Sequence, residues 1–83
     1  MKKSFGFREL CKCLRCLGFT FKSQEGSHVK YYVPRGTKLP AGVRPFIIVI
    51  MGRKTYDPNT RKSYLTQIKR LGFTRQQIDE CMP

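Results

Sequence analysis

The apolar residues of this chain change their period twice, and that change restricts the fold more than any other feature. Phe7, Leu10, Cys11, Leu14 and Leu17 recur at i, i+3, i+4, i+7 and i+10, a helical stripe with Arg8, Lys12 and Arg15 on the opposite side. Gly18 stands where a glycine ends a helix, so the first helix is predicted over 7–17. From Phe19 the period drops to two. Phe19, Phe21 and Ser23 alternate with Thr20 and Lys22, and Val29, Tyr31 and Val33 alternate with His28, Lys30 and Tyr32. Phe46 to Met51 is apolar throughout, a third strand that is either a covered core strand or a sheet edge in need of a partner. The helical period then returns in Tyr64, Leu65, Ile68 and Leu71, predicting a helix over 60–71 that Gly72 ends. Thr74 and Gln77 form a capping box for a short last helix. The order is α-β-β-β-α plus a terminal helix: an α+β domain with a three-stranded antiparallel sheet and its helices on one face. At 83 residues, 1–83 is one domain.

The first two strands make a hairpin whose apolar sets share a face only if the loop has an odd number of residues. A three-residue loop, Gln24-Glu25-Gly26, satisfies this and pairs Lys22 with His28 and Phe21 with Val29. The open face then carries Thr20, Lys22, His28, Lys30 and Tyr32, with Tyr31 in the core.

Charge says what such a surface attracts. Seventeen Lys and Arg stand against five acids, a net charge of +12. The bases are interleaved with apolar residues, which suits a basic face on a folded domain better than a disordered arm. Nucleic acid, an anionic membrane or an acidic protein is the natural partner. No segment is long and apolar enough to span a bilayer, and although Lys2 and Lys3 open the chain, charges at Arg8, Glu9, Lys12 and Arg15 interrupt any signal-peptide core. The cytoplasm is the expected location, with no membrane association. A DNA-binding regulator is disfavoured because the strands separate the helices that a helix-turn-helix would need to pair.

Cys11, Cys13 and Cys16 suggest a metal motif, but at 100° per residue Cys11 points nearly opposite the midpoint of the other two. Such a set does not converge on a tetrahedral ion, so no metal and no cofactor is expected. In a reducing cytoplasm disulfides are not expected either, leaving Cys11 in the core and Cys13 and Cys16 as partly exposed thiols.

The chain resembles the HicA-type toxins of bacterial toxin–antitoxin pairs. A first helix ending in Leu-Gly-Phe, a strand leading into Gly26-Ser27-His28, an apolar third strand and a helix ending Ile-Lys-Arg-Leu-Gly-Phe-Thr carry the likeness, from about Arg8 to Ile78. The resemblance implies a fold like the double-stranded-RNA-binding domain, metal-independent cleavage of messenger RNA with the motif histidine essential, and a HicB-type antitoxin that covers it. Many relatives have a second histidine just after the third strand, where this chain has Arg53 and Lys54. The loop at 34–43 is also long.

His28 is the single histidine. Cleaving RNA without a metal needs a base for the 2′-OH and an acid for the leaving oxygen, and an imidazole, titrating at about 6.5, can serve as either. On the expected register Lys22 and Lys30 hold the phosphate and leave His28 as the base, with the acid open among Lys54, Tyr32 and a water. Expected RNA contacts are Lys22, Gly26, Ser27, Lys30, Tyr32, Arg53, Lys54 and, on the second helix, Lys62. Gly26 lets the backbone approach a phosphate. A non-catalytic RNA-binding module of the same fold is the alternative. The apolar third strand predicts pairing with another copy or with a partner.

Overall fold

The computed structural model describes residues 4–83, so Lys2 and Lys3 lie outside the described range. Helix α1 spans Phe7–Cys16, with Leu17 as its cap and Gly18 turning the chain at φ +100°. Strands β1 (Thr20–Glu25), β2 (His28–Tyr32) and β3 (Phe46–Ile50) follow, then helices α2 (Pro58–Arg70) and α3 (Arg75–Cys81). The sheet is antiparallel in the order β1-β2-β3. This is the expected α+β architecture in the α-β-β-β-α order.

Helix α2 begins two residues before the apolar stripe suggested. Asp57 caps it by accepting from the Thr60 N–H at 2.9 Å, and Pro58 fills the first turn, where its missing N–H is harmless. Helix α3 has its capping box: Thr74 accepts from the Gln77 N–H at 3.1 Å, and the Gln77 side chain accepts from the Thr74 N–H at 2.8 Å.

The core lies on one side of the sheet. Val29, Tyr31, Ile47 and Val49 point into it from the strands, and Leu10, Leu14, Ile68 and Ile78 cover them from the helices. Strand β3 is therefore an edge strand. Its uniformly apolar sequence hides an alternation that burial restores, since Ile47 and Val49 are buried while Ile48 and Ile50 are exposed. Its outer edge is partly closed by two tyrosines. The Ile50 N–H donates to the Tyr64 hydroxyl at 3.0 Å, and the Tyr56 hydroxyl donates to the Ile50 carbonyl at 2.6 Å.

The hairpin differs from expectation. Its loop is the two-residue turn Gly26-Ser27, with Glu25 opposite His28. Gly26, at φ +58°, takes the first central position, where a type II′ turn wants glycine. The parity requirement is met instead by a bulge between Phe21 and Ser23, which places Phe21 opposite Tyr31 on the core side. Phe21 is nevertheless 53% exposed, in edge-to-face contact with the Tyr31 ring at 6.1 Å between centroids.

The cysteines also depart from expectation. Cys16 and Cys81 form a disulfide, with Cα atoms 5.5 Å apart. Cys13 is fully buried rather than partly exposed. Both follow from α3 folding back over α1. This covers the flank that a single-stripe reading leaves open, and the Cys13 thiol lies 3.8 Å from the Ile78 carbonyl. Cys11 is in the core, as expected.

Candidate nucleic-acid interface

Because the helices all lie on one side, the other face of the sheet is open. Strand alternation brings His28, Lys30 and Tyr32 of β2 to it, beside Ile50, Ile48 and Phe46 of β3 in the same order. His28 starts β2 immediately after the turn and is exposed, with no hydrogen bond to its ring among the described residues. The turn is fixed from the side, where the Ser27 carbonyl accepts from the Met51 N–H at 2.8 Å.

The neighbour of His28 on β1 is Glu25, not Lys22. Directly opposed residues of an antiparallel pair lie on the same face, so the carboxylate and the imidazole share this end of the open face. The remaining acids are engaged at helices. Glu9 accepts from the Gly6 N–H at 3.0 Å, and hydrogen bonds from its own backbone and from Gly6 hold its carboxyl below the usual range. The side-chain and backbone hydrogen bonds of Thr60 do the same for Asp57. Asp79 pairs with Arg75 and Glu80 accepts from Gln76. Among the described residues Glu25 alone of the acids makes no side-chain hydrogen bond or ion pair. Sequence reading missed it because the assumed register placed it inside the loop.

The expected RNA contacts divide into groups. Lys22 occupies the bulge, its Nζ 5.7 Å from the centre of the Tyr32 ring, at the far end of β2 from His28. Lys30 lies between, with its Nζ 4.4 Å over the Phe46 ring. Tyr32 is exposed but four residues from His28, too distant to serve it as an acid. Arg53 borders Ile50 in a small hollow that also includes Tyr56, Asp57 and Tyr64, and so joins the His28 end. Lys54 lines a second groove with Phe7, Arg8, Glu9 and Arg53, toward the start of α1. Lys62 is exposed on α2, away from the open face. The geometry thus assembles Glu25, Gly26, Ser27 and His28 at one end, with Arg53 beside Ile50 there, and Lys22, Tyr32 and the Lys30 ammonium toward the other.

The segment carrying Arg53 is anchored. The Phe7 N–H donates to the Arg53 carbonyl and the Tyr56 N–H donates to the Phe5 carbonyl, each at 2.9 Å. Burial, with Tyr64 alongside, holds the Tyr56 phenol well above its ordinary pKa, so at neutral pH it is a donor to Ile50. Among the described residues no cluster of three or more His, Cys, Asp or Glu side chains is placed to hold a metal ion, and no helix is long and apolar enough to cross a membrane.

Against known proteins, residues 7–70 match the family model of the HicA toxin of bacterial toxin–antitoxin systems. No curated protein and no solved structure matches the chain.

Proposed function

The chain belongs to the HicA toxin family of bacterial toxin–antitoxin systems, and from that premise we propose that it is a metal-independent endoribonuclease that binds messenger RNA on the open sheet face and cleaves it with His28. The observation that carries the reading is the pairing of the single histidine, directly across the hairpin, with the one acidic side chain unengaged among the described residues. Cleavage of this kind needs two proton transfers. Glu25 accepts the proton of the 2′-OH; the 2′-oxygen attacks phosphorus; the bond from phosphorus to the 5′-oxygen breaks; and the imidazolium of His28 gives that oxygen its proton. The products are a 2′,3′-cyclic phosphate and a free 5′-hydroxyl. Glu25 takes the role of base that the expected scheme gave His28, and His28 becomes the acid. Arg53, beside the Ile50 that pairs with His28, supplies positive charge to the phosphate as its negative charge grows.

A HicB-type antitoxin is the proposed partner. Ile48 and Ile50 are exposed beside His28 and Lys30, and a protein covering that apolar column also covers the histidine. The acidic surface that would complement a +12 chain is expected on the antitoxin. Light scattering that finds an unchanged monomer after adding the neighbouring gene product would count against this pairing.

The direct test incubates the protein and its His28→Ala variant with structured RNA in excess EDTA and reads the fragment ends. Cleavage by the parent alone, with cyclic phosphate ends, is expected. Equal cleavage by both removes His28 from the mechanism. Salt-sensitive binding without cleavage by either makes the chain a non-catalytic RNA-binding module.

A further inference from the structure

The far end of the open face carries an arrangement that proton transfer at His28 does not use. Tyr32 and Phe46 are cross-strand partners whose rings lie 5.8 Å apart at 31°, forming a nearly continuous aromatic surface. Each ring has an ammonium near it: Lys30 at 4.4 Å from the Phe46 centre and Lys22 at 5.7 Å from that of Tyr32. The bulge in β1 is what brings Lys22 there. Beyond Phe46 a cleft of about 370 Å³ opens between β3 and α2, with Arg44, Gln67 and Arg70 on its walls. Four residues of strand separate Tyr32 from His28, about 13 Å at the usual rise.

We propose that Tyr32 and Phe46 are a nucleobase-stacking subsite, holding a base of the same RNA strand some nucleotides away from the bond cut at His28. The proposal rests on reading the open face as the RNA path. Bases stack on aromatic rings for about 1–3 kcal/mol each, whatever their identity. An exposed ammonium over a ring contributes about 0.5–1 kcal/mol. A base therefore displaces the lysine, and the displaced ammonium regains a charge partner in the adjacent phosphate. Arg44 and Arg70 extend the phosphate track along the cleft. The subsite grips RNA without reading sequence and, by fixing the strand at a second point, sets which phosphate reaches His28.

The chain has no tryptophan, so Tyr32→Trp gives a single reporter at the subsite. Placed in a His28→Ala background, it is titrated with single-stranded RNA of about a dozen nucleotides and, separately, with inorganic polyphosphate. Binding is followed in parallel by anisotropy of labelled RNA. Tryptophan quenching by RNA but not by polyphosphate is expected. Tyr32→Leu and Phe46→Leu should each weaken RNA binding about 5- to 100-fold, and each should be checked for an unchanged melting temperature. Salt-sensitive RNA binding without quenching overturns the subsite and leaves the RNA reading intact. Equal quenching by polyphosphate reduces the site to a charge effect and also overturns it. No RNA binding at all overturns both.

Discussion

Gly6 offers the sharpest test of how the site is supported. Its φ of −124° is open to any residue, so backbone freedom does not explain the glycine. Space does. A Cβ at this position would lie 1.8 Å from the Lys54 carbonyl oxygen and 2.6 Å from that of Arg53, both backbone atoms that cannot rotate away. Reaching ordinary contact at 3.4 Å requires the two segments to separate by about 1.6 Å (3.4 less 1.8). That breaks the two 2.9 Å backbone bonds between the segments and lifts Phe5, only 4% exposed, off the Tyr56 ring. Two such bonds contribute about 0.5–1.5 kcal/mol each, and full burial of a Phe about 1.5–3 kcal/mol. Against this, Gly→Ala at a compatible φ gains about 0.4–1 kcal/mol through the unfolded chain. The clash wins, and Gly6→Ala should destabilise by roughly 2–4 kcal/mol, lowering the melting point by roughly 10–30 °C in a domain of this size. Differential scanning calorimetry measures it. At a permissive temperature, where the variant is still folded, cleavage should also fall, since Arg53 moves with its segment. A melting point within about 2 °C of the parent would refute the close-packed junction and, with it, the claim that the segment after β3 is held in place.

Four further outcomes are expected. The Cys16–Cys81 link closes a separation of 65 residues, so the chain-entropy relation gives it about 4 kcal/mol. Reductant should lower the melting point by roughly 15–30 °C, an effect absent in Cys16→Ser. Thiol titration should find no reactive thiol in the native protein and two after denaturation, because Cys11 and Cys13 are buried and desolvation raises the Cys13 thiol to about 11. The Asp57 carboxyl is depressed by its bonds with Thr60. Its contribution is therefore present above the unfolded carboxylate pKa of about 3.9 and is lost as pH falls through the lower folded value, so Asp57→Asn should flatten the acid limb of stability. The Tyr56 phenol is raised by burial, so its contribution holds below about pH 10 and declines as pH rises toward the folded value. Tyr56→Phe should cost about 1–3 kcal/mol by orphaning the Ile50 carbonyl, and should remove that alkaline decline in urea melts.

Much of this was legible in the residues because the determining signals are local. The stripe of α1, the alternation of β2 and the Thr74-Gln77 box each need only a few neighbouring residues to be read. The start of α2 was also local, but it is written in Asp57-Pro58 rather than in hydrophobic period, which is why the stripe alone placed it late. What could not be read depends on contacts distant in sequence. Cys13 is buried and Cys16 bonded because α3 returns to α1, and nothing near residue 13 records that return. The hairpin was an intermediate case. Its parity followed from which residues are apolar, but parity can be met by an odd loop or by a bulge. The choice between them decides whether Lys22 or Glu25 stands beside His28, so a single-residue ambiguity in register changed the chemistry assigned to the site.

The position of the site follows from how the edge strand is held. Strand β3 has a free outer edge and an apolar outer face, a combination that would leave an isolated strand mobile or aggregation-prone. Here Tyr56 and Tyr64 take both backbone groups of Ile50. Ile50 is the residue paired with His28, so the clamp acts at the end of the strand where the chemistry is proposed. Tyr64 belongs to α2, and Tyr56 belongs to the segment that Gly6 and Phe5 anchor to α1. The exposed His28 therefore rests on backbone fixed from two helices, while its own ring has no hydrogen-bond partner among the described residues. A proton-transfer group needs its position fixed to within a fraction of an ångström while its ring stays free to exchange protons. Burying the supports on the covered side and leaving the imidazole on the open side satisfies both requirements with one sheet.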